Sequence, residues 1–427
     1  MSAAILIGSF LFLLIFNVPI AVGLASAALI GFFMFDLSLS PVAVNYFTAG
    51  NKFVLLAIPF FILAGNIMEK AEISQKLIDF ARSLVGHYKN GIAIVCVMVS
   101  CFFAAISGSG PATVAALGMI VIPAMIKAGY SDNHSSALMA TAGSIGVIIP
   151  PSISFVVFGS ITGVSIGDLF MAGVIPGILM GICLIIGMII VAQTCHFDLK
   201  PLPRASGKER LKAFTSALWA LLMPAIILGG IYGGVFTPTE AAAVACVYGL
   251  FVGIFVYGTV KWSQIYRIFV DSSAQTAVVM FIVMASSIYS YVTTVQGIAA
   301  DATDLVMRLS GGSQVKFLLI VNILLLIVGC FLDGNSALYL FVPILYPVAM
   351  RLGVPPLAFG VLMVMNLAIG MVTPPVGVNL YVACGISGVS VKRICIGVWP
   401  FILASLTALF SITYIPQLCT FLPRLLR

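Results

Sequence analysis

The residues best suited to binding a ligand are hydroxyl, glycine and proline residues that interrupt apolar segments at two places. The first interruption is Ser-Gly-Ser-Gly-Pro at 107–111, followed later by Pro150-Pro151. The second begins at Asp333 and is followed by Pro374-Pro375. Consecutive prolines remove amide donors and disfavour helical backbone before them, so each pair predicts an unwound helix with free carbonyl oxygens. Free carbonyls in hydrocarbon are destabilising unless something binds them, and a dehydrated cation does so.

Oxygen atoms near these interruptions predict two binding sites for sodium ions. Hard cations take oxygen ligands, and the scarcity of carboxylates favours sodium over calcium or magnesium. Asp333 is the acid that we expect near the middle of the membrane, although it could instead cap the helix that follows it. The first predicted site comprises Ser107, Ser109, Gly146, Ile149 and Pro151, and the second comprises Asp333, Gly334, Gly370, Thr373 and Val376.

The same interruptions predict a site for an organic anion. A helix is expected to begin after each of them, and helix N-termini carry spare amides and positive partial charge. We expect no lysine or arginine at this depth, so the anion would be held by helix dipoles, sodium and polar side chains. Hydrogen bonding between helices is the alternative role for each such side chain. The predicted substrate-binding residues are Gly110, Thr113, Ser154, Asn335, Ser336 and Asn379.

An enzymatic site is not expected. Ser107 or Ser109 could act as a nucleophile only with a base within hydrogen-bonding reach. The three histidines, His87, His134 and His196, all lie at predicted membrane edges. The sequence contains neither a metalloprotease motif nor a nucleotide-binding loop in the required context. Transport would therefore be driven by an ion gradient or by another subunit.

Composition places the interruptions in a membrane. Of the 427 residues, 62% are hydrophobic and only 8% are charged, whereas a soluble domain carries roughly 25% charged residues. The apolar segments run without alternation, which indicates helices and excludes a barrel of strands. We therefore predict an all-α polytopic membrane protein in contact with lipid. The net charge of +7 comes from basic residues in short connections, so it reports topology, and no nucleic-acid partner is expected.

Segments of about 20 apolar residues give the candidate crossings. They are 4–34, 53–68, 132–162, 166–194, 214–235, 238–260, 276–295, 356–387 and 390–420. The first half is expected to contain scaffold helices at 1–68, an amphipathic arm helix at 69–90 and a first transport repeat at 91–194, with a hairpin at 91–128 and a broken helix at 132–162. The second half is expected to contain a basic cytoplasmic loop and scaffold helices at 195–295, an arm helix at 296–315, a second transport repeat at 316–420, with a hairpin at 316–352 and a broken helix at 356–387, and a tail at 421–427.

The chain carries the interrupted segment twice. Residues 110–151 align without a gap with residues 334–375, and matched pairs include Gly110 with Gly334. Each hairpin could cross the bilayer twice or re-enter, and charge and parity favour re-entry. Five predicted crossings separate the hairpins, which would make the repeats inverted relative to each other. The basic residues mark the loop at 195–213 as cytoplasmic, and Lys89 and Lys127 place the mouth of the first hairpin on the same side.

The motifs in this order resemble the large membrane subunit of tripartite ATP-independent periplasmic (TRAP) transporters, and there is a likeness to the sialic-acid branch. The similarity extends over essentially the whole chain. The segments that carry it are Ala57 to Phe61, Ser107 to Thr113, Pro150-Pro151-Ser152, Gly173 to Gly177, Pro238-Thr239-Glu240, Asp333 with Asn335, and Thr373-Pro374-Pro375.

The resemblance implies sodium-coupled uptake of an organic anion, such as a dicarboxylate or sialic acid, across the bacterial inner membrane. It implies an elevator mechanism in which the transport domain slides against the scaffold. It also implies two partners, a small four-helix membrane subunit and a periplasmic substrate-binding protein. The small subunit is expected to be a separate chain. The sodium sites of the family fall on the two predicted sites.

Two other functions fit the same pattern less well. A stand-alone sodium/dicarboxylate symporter of similar fold would need no binding protein. An ion channel would pass ions far faster than a carrier and would need no sodium gradient.

Overall fold

The computed structural model describes residues 2–16 and 18–426, and within these ranges the regular structure is helical, with no strands. The helices of the first half are α1 Ser2–Ile15, α2 Ile20–Met34, α3 Ser40–Gly50, α4 Ala57–Lys70, α5 Ile73–Val85, α6 Gly91–Ser107, α7 Gly110–Lys127, α8 Asp132–Ser144, α9 Ile153–Thr162 and α10 Ile166–Thr194. Those of the second half are α11 Gly207–Tyr232, α12 Pro238–Phe251, α13 Trp262–Val295, α14 Ile298–Ser310, α15 Gln314–Gly329, α16 Gly334–Arg351, α17 Pro356–Gly370, α18 Val378–Ser387, α19 Val391–Gly397, α20 Trp399–Tyr414 and α21 Gln417–Leu425.

Six helices in the described ranges are long and apolar enough to cross a membrane, or up to nine spans if each sharply bent helix pair counts as one. The prediction of an all-α polytopic membrane fold is thereby confirmed. Helix α10 has the same bounds as the crossing predicted at 166–194. The crossing predicted at 276–295 is the second half of the longer helix α13.

The single crossing predicted at 4–34 is wrong, because α1 and α2 are separate helices. Gly23 of α2 packs against Phe10 and Gly31 packs against Leu6, so the two helices run antiparallel. Pro19 precedes α2 with an extended backbone, φ −53° and ψ 136°. A proline with this backbone cannot continue α1, and it starts a new helix instead.

The single crossing predicted at 390–420 is also wrong. Three helices, α19, α20 and α21, occupy this segment, and the last two meet at 65°. Proline explains both breaks, since Pro400 occupies the first turn of α20 and Pro416 precedes α21. Proline is favoured at these helix starts because the amide it lacks would be unpaired there.

The predicted arm helices are present as α5 and α14, with 13 residues each. The apolar face of α5 is buried, including Ile73, Leu77 and Ala81. Helix α14 turns by 120° into α15, and Thr303 of α14 donates a hydrogen bond to the carbonyl of Ile344 at 3.3 Å. Each arm therefore packs beside the hairpin that follows it in the chain.

The duplication seen in the sequence is also present in the order of the helices. Helices α7 and α16 have 18 residues each, and α9 and α18 have 10 each. A cis Pro-Pro bond lies in both breaks, Pro150-Pro151 and Pro374-Pro375. The two repeats exchange contacts, because α7 packs against α18 and α16 packs against α9. The inverted orientation of the repeats stays a prediction.

The basic loop lies on the mouth of the first hairpin. The Lys200 amide donates to the carbonyl of Ala128 at 3.0 Å, and the Leu202 amide donates to the carbonyl of Gly86 at 3.1 Å. The mouth of the hairpin and the loop at 195–213 are therefore on the same side of the protein. This is the arrangement that the positive charge of the loop predicts, with both at the cytoplasmic surface.

Candidate ion and substrate site

The tips of the two hairpins meet at one small cavity of about 160 Å³. The tip of the first hairpin joins α6 to α7, and that of the second joins α15 to α16. We call this space the tip cavity. Residues from both tips, from the first broken helix and from α17 line it, namely Gly108, Ser109, Gly110, Pro111, Val147, Ile153, Ser154, Asp333, Gly334, Asn335, Val364, Leu367, Ala368 and Met371.

Three oxygen atoms form a cluster at the first tip. The hydroxyl oxygens of Ser107 and Thr113 are 2.8 Å apart, and Thr113 donates to the carbonyl of Ser109 at 2.8 Å. The Ser107 hydroxyl lies 3.3 Å from that same carbonyl. Gly108, between Ser107 and Ser109 in the chain, has φ +60°, so the chain can end α6 and turn immediately into α7. Ser109 therefore contributes its carbonyl to the cluster.

The first broken helix packs directly against this cluster. A Cβ atom on Gly146 would lie 2.7 Å from Thr113 Oγ1 and 2.8 Å from the Ser109 carbonyl oxygen. A Cβ on Gly108 would lie 2.8 Å from the carbonyl oxygen of Pro151. Glycine at 108 and 146 thus allows carbonyl and hydroxyl oxygens from two elements to approach each other closely.

The break itself is fully enclosed. After α8 the chain makes a short 3₁₀ turn at Ile145–Val147, and residues 145–152 are all buried. Ser152 donates to the carbonyl of Val147 at 2.6 Å and accepts from the amide of Phe155 at 3.4 Å, so it closes the break and caps α9. The side chain of Ile149 packs against Gly177 of α10. Four residues of the first predicted sodium site, Ser107, Ser109, Gly146 and Pro151, are brought together.

Asp333 caps the N-terminus of α16. Its carboxylate accepts from the amides of Asn335 at 3.1 Å and Ser336 at 3.2 Å, and the Ser336 hydroxyl also donates to it. This is the capping role that we considered as an alternative for Asp333. The carboxylate nevertheless lies at the tip cavity, so the cap does not remove it from the predicted second sodium site.

The second break is more open than the first. Thr373 hydrogen-bonds within its own helix, to the carbonyl of Ile369 at 2.8 Å, and Val376 is 36% exposed. Gly370 packs on the backbone of Gly329, where an added Cβ would lie 2.9 Å from the Gly329 carbonyl oxygen. Of the second predicted set, Asp333 and Gly334 line the tip cavity, whereas Gly370, Thr373 and Val376 do not. Both predicted ion sites stay predictions.

The predicted substrate residues join the two repeats. Ser154 donates to Asn335 Oδ1 at 3.1 Å, which ties the start of α9 to the second tip. Asn379, at the start of α18, contacts Gly110 of the first tip and donates to the carbonyl of Ala140 at 3.2 Å. Ser154 and Asn379 are each the second residue of their helix, α9 and α18. The Oδ1 atom of Asn379 is buried without a hydrogen-bond partner.

Apolar residues form much of the cavity wall, and they were not among the predicted site residues. They are Val147, Ile153, Val364, Leu367, Ala368 and Met371. No signal in the sequence separates them from ordinary core residues. Only the α17 residues repeat at the spacing of 3 and 4 that puts residues on one helical face.

The electrostatics of the tip cavity come from helix starts and from the Asp333 carboxylate. No lysine or arginine lines it in the described parts of the chain. Helices α7 and α16 begin at it, and α9 begins at Ile153 in its wall. Amides at helix starts attract anions. An anion placed there would also face Asp333, so an additional cation is needed to offset that repulsion.

Comparison with known proteins identifies the family of this chain. Residues 7–418 match the family model described as "Tripartite ATP-independent periplasmic transporter, DctM component". A C4-dicarboxylate TRAP transporter large permease protein of Pseudomonas aeruginosa is 42% identical over 94% of this chain and 93% of its own. A sialic acid TRAP transporter large permease protein of Vibrio cholerae is 37% identical over 88% of this chain and 87% of its own.

One solved structure shares the fold. The Alcanivorax borkumensis YdaH transporter superposes with a TM-score of 0.63 over 90% of this chain and 87% of its own, at 14% sequence identity. At that identity the likeness concerns the fold alone. The family match spans nearly the whole chain and confirms the resemblance found in the sequence. The chain therefore belongs to the DctM family, the large permease subunits of tripartite ATP-independent periplasmic transporters.

Proposed function

We propose that this chain is the membrane subunit that carries a small organic anion across the bacterial inner membrane, coupled to sodium. The observation that carries the proposal is the tip cavity, where two hairpin tips and a broken helix supply helix starts, hydroxyls and carbonyl oxygens at one place. Irregular backbone within a membrane protein is stable where it lines such a cavity. Discontinuous helices at a repeat interface are typical of secondary transporters.

Sodium is the ion that best fits the first site. The cluster of Ser107, Ser109 and Thr113 contains only neutral oxygens, and Pro151 offers a further carbonyl. Neutral oxygens suit a monovalent cation, whereas divalent cations require more carboxylates. The hydroxyl hydrogens now satisfy the Ser109 carbonyl, and they would turn away when a cation binds.

The substrate class that we propose rests on the size of the tip cavity and on the helix starts that face it. Its volume of about 160 Å³ favours a compact C4-dicarboxylate over the nine-carbon sialic acid. Related permeases are named for C4-dicarboxylates and for sialic acid. A dianion would be attracted by the starts of α7 and α16 and by bound sodium ions.

An elevator movement is supported by loose packing between α13 of the predicted scaffold and α16 of the second hairpin. Two cavities, of about 320 and 340 Å³, lie beside the contact between these helices, and Tyr339 and Pro343 border both. Close packing resists sliding because interdigitated side chains must first separate. An interface with cavities of this size presents fewer such contacts.

We also propose that the subunit acts with a small membrane subunit and a periplasmic binding protein. The isethionate TRAP transporter permease protein DctMQ of Oleidesulfovibrio alaskensis is 40% identical over 98% of this chain, yet the match spans only 66% of that protein. That relative therefore carries an additional segment. We propose that a small membrane subunit supplies the equivalent part to the present chain.

Uptake by proteoliposomes tests the proposal. Vesicles containing this chain, its small subunit and the binding protein should accumulate radiolabelled succinate when an inward sodium gradient is imposed, and should not do so with potassium. Uptake by this chain alone would support the stand-alone symporter. A large sodium-independent ion current would support a channel. Uptake of sialic acid but not succinate would reject the proposed substrate class.

A further inference from the structure

A second polar cavity lies beside the tip cavity, between α13, α3 and the second hairpin. Its volume is about 340 Å³, and we call it the vestibule. Hydroxyl and amide side chains occupy its α13 and α3 walls, among them Ser286, Ser287 and Thr294 on α13 and Asn45 and Thr48 on α3. Ser287 and Thr294 donate to the carbonyls of Asn45 at 3.4 Å and Ser290 at 2.8 Å, whereas Ser286 has no partner, so part of this polar wall remains for a ligand.

The vestibule lies along the same two helices as the tip cavity. Helices α9 and α16 touch near the tip, where Ser154 binds Asn335, and again further along, where the hydroxyls of Ser160 and Tyr339 are 3.4 Å apart. The two contacts are six positions apart on α9 and four positions apart on α16, which corresponds to about 9 Å and 6 Å of helix. The vestibule borders the second contact, through Tyr339, and therefore lies roughly one to two helical turns from the contact at the tip cavity.

One cation and one unpartnered hydroxyl face the vestibule. Lys52 lines it, and its ammonium donates to the carbonyl of Ser160 at 2.9 Å. Lysine has three donors, so the others remain for a ligand. Ser286 is 4% exposed, and its Oγ atom is buried without a hydrogen-bond partner. No acidic residue lines the vestibule in the part of the chain that the structure describes.

The other repeat has a cavity at the matching place. It has a volume of about 410 Å³ and is bordered by Met119, Ile386 and Lys127. Alignment of the repeats pairs Met119 with Pro343, and counting from the starts of α18 and α9 pairs Ile386 with Ile161. Pro343 and Ile161 both border the vestibule. Lys127 lies at the mouth of the first hairpin, beside the basic loop. With the repeats inverted, as the sequence predicts, the vestibule lies at the opposite end of the repeat pair from the loop expected in the cytoplasm.

We infer that the vestibule is an anion-binding site on the outer access route, where Lys52 and the α13 hydroxyls hold a carboxylate substrate before it reaches the tip cavity. This inference rests on the proposed transport function and adds a site to it. Lys52 attracts the carboxylate, and the hydroxyls replace part of its hydration shell. When the substrate moves on, Lys52 stays with the scaffold and does not enter the tip cavity.

Charge-selective thiol labelling tests this inference directly. Ser287→Cys introduces a half-buried thiol on the wall of the vestibule, and its reaction is measured with an anionic and with a cationic methanethiosulfonate of similar size. Protein without the substitution gives the background from native cysteines. We expect the anionic reagent to be favoured, and Lys52→Gln to lower that preference by about threefold or more because one nearby charge is removed. Lys52→Arg should restore it. Lys316→Gln, an exposed lysine that does not line the vestibule, is the matched control.

Succinate should slow labelling of Ser287→Cys, and it should do so less in Lys52→Gln. In uptake assays Lys52→Gln should raise KM several-fold while kcat stays within about twofold. An equal preference for both reagents, or labelling that succinate does not slow, would overturn the inference. If labelling fails in this way while sodium-driven uptake of succinate persists, the vestibule is wrong and the transport function stands. If uptake itself is absent, the transport function is wrong.

Discussion

Gly146→Ala is the sharpest test of the first sodium site. The added methyl group would lie 2.7 Å from Thr113 Oγ1, 2.8 Å from the Ser109 carbonyl oxygen and 3.1 Å from its carbon. Carbon and oxygen atoms do not normally approach so closely, so both oxygens must move by about half an ångström. Overpacking of this kind costs about 1 to 3 kcal/mol. Residues 145–152 are all buried, so the displaced atoms cannot relieve the strain by moving into solvent.

The same displacement falls on two of the three oxygens of the predicted ion site. If that energy is lost from ion binding, the sodium concentration for half-maximal uptake should rise by roughly tenfold to hundredfold, since 1.4 kcal/mol corresponds to a factor of ten. The succinate KM at saturating sodium should change much less. The protein should still fold, because alanine is well tolerated in helical backbone.

Two measurements check this prediction. The first is succinate uptake by proteoliposomes as a function of sodium concentration. The second is the shift in thermal unfolding midpoint between sodium and potassium, which reports ion binding without transport. Gly385→Ala is the matched control, because an added Cβ there meets nothing within 4 Å. A Gly146→Ala protein that folds and keeps the wild-type sodium dependence in both assays would refute the reasoning.

Five further substitutions, at four positions, separate ion binding from structure. Ser107→Ala removes a hydroxyl of the oxygen cluster, so it should weaken sodium dependence strongly, alone or combined with Ser109→Ala. Ser109→Ala alone should have little effect, because the backbone carbonyl of Ser109 is the contributing atom. Titration of uptake with sodium compares these variants. Asp333→Asn keeps a capping side chain but removes the charge, so it should fold normally and lose sodium dependence, whereas Asp333→Ala should in addition lose about 0.5 to 2 kcal/mol of stability with the cap. Thermal unfolding and sodium-dependent uptake distinguish the two variants. Wild-type sodium dependence of uptake in Asp333→Asn would leave Asp333 with only the capping role. Asn366→Leu should destabilise the fold by about 1 to 3 kcal/mol, because the buried Asn322 Oδ1 atom loses its donor at 2.8 Å. The sodium dependence of uptake by this variant should match that of the wild type. A changed sodium dependence would show that the Asn366–Asn322 hydrogen bond contributes to the ion site.

Local sequence determined the class of the protein and the position of its irregular segments. Continuous apolar runs can only be helices in lipid, and paired prolines interrupt helices wherever they occur, so both broken helices were predictable from their own residues. Their duplication at matching spacing also indicated a transporter of this family before any contact was known. Where an interruption was weaker, as at Pro19 and Pro400, the sequence was interpreted wrongly as one continuous crossing.

Tertiary structure decided which atoms meet. Ser154 and Asn335 are 181 positions apart, and Asn379 and Ala140 are 239 apart, so no local pattern specifies their hydrogen bonds. The same holds for the enclosure of the first break and the exposure of the second, because burial depends on neighbouring helices. It holds equally for Lys52, an ordinary loop lysine in the sequence that packing places on a polar cavity. Helical periodicity sets the face that a residue occupies, whereas only the packing of distant segments sets what that face touches.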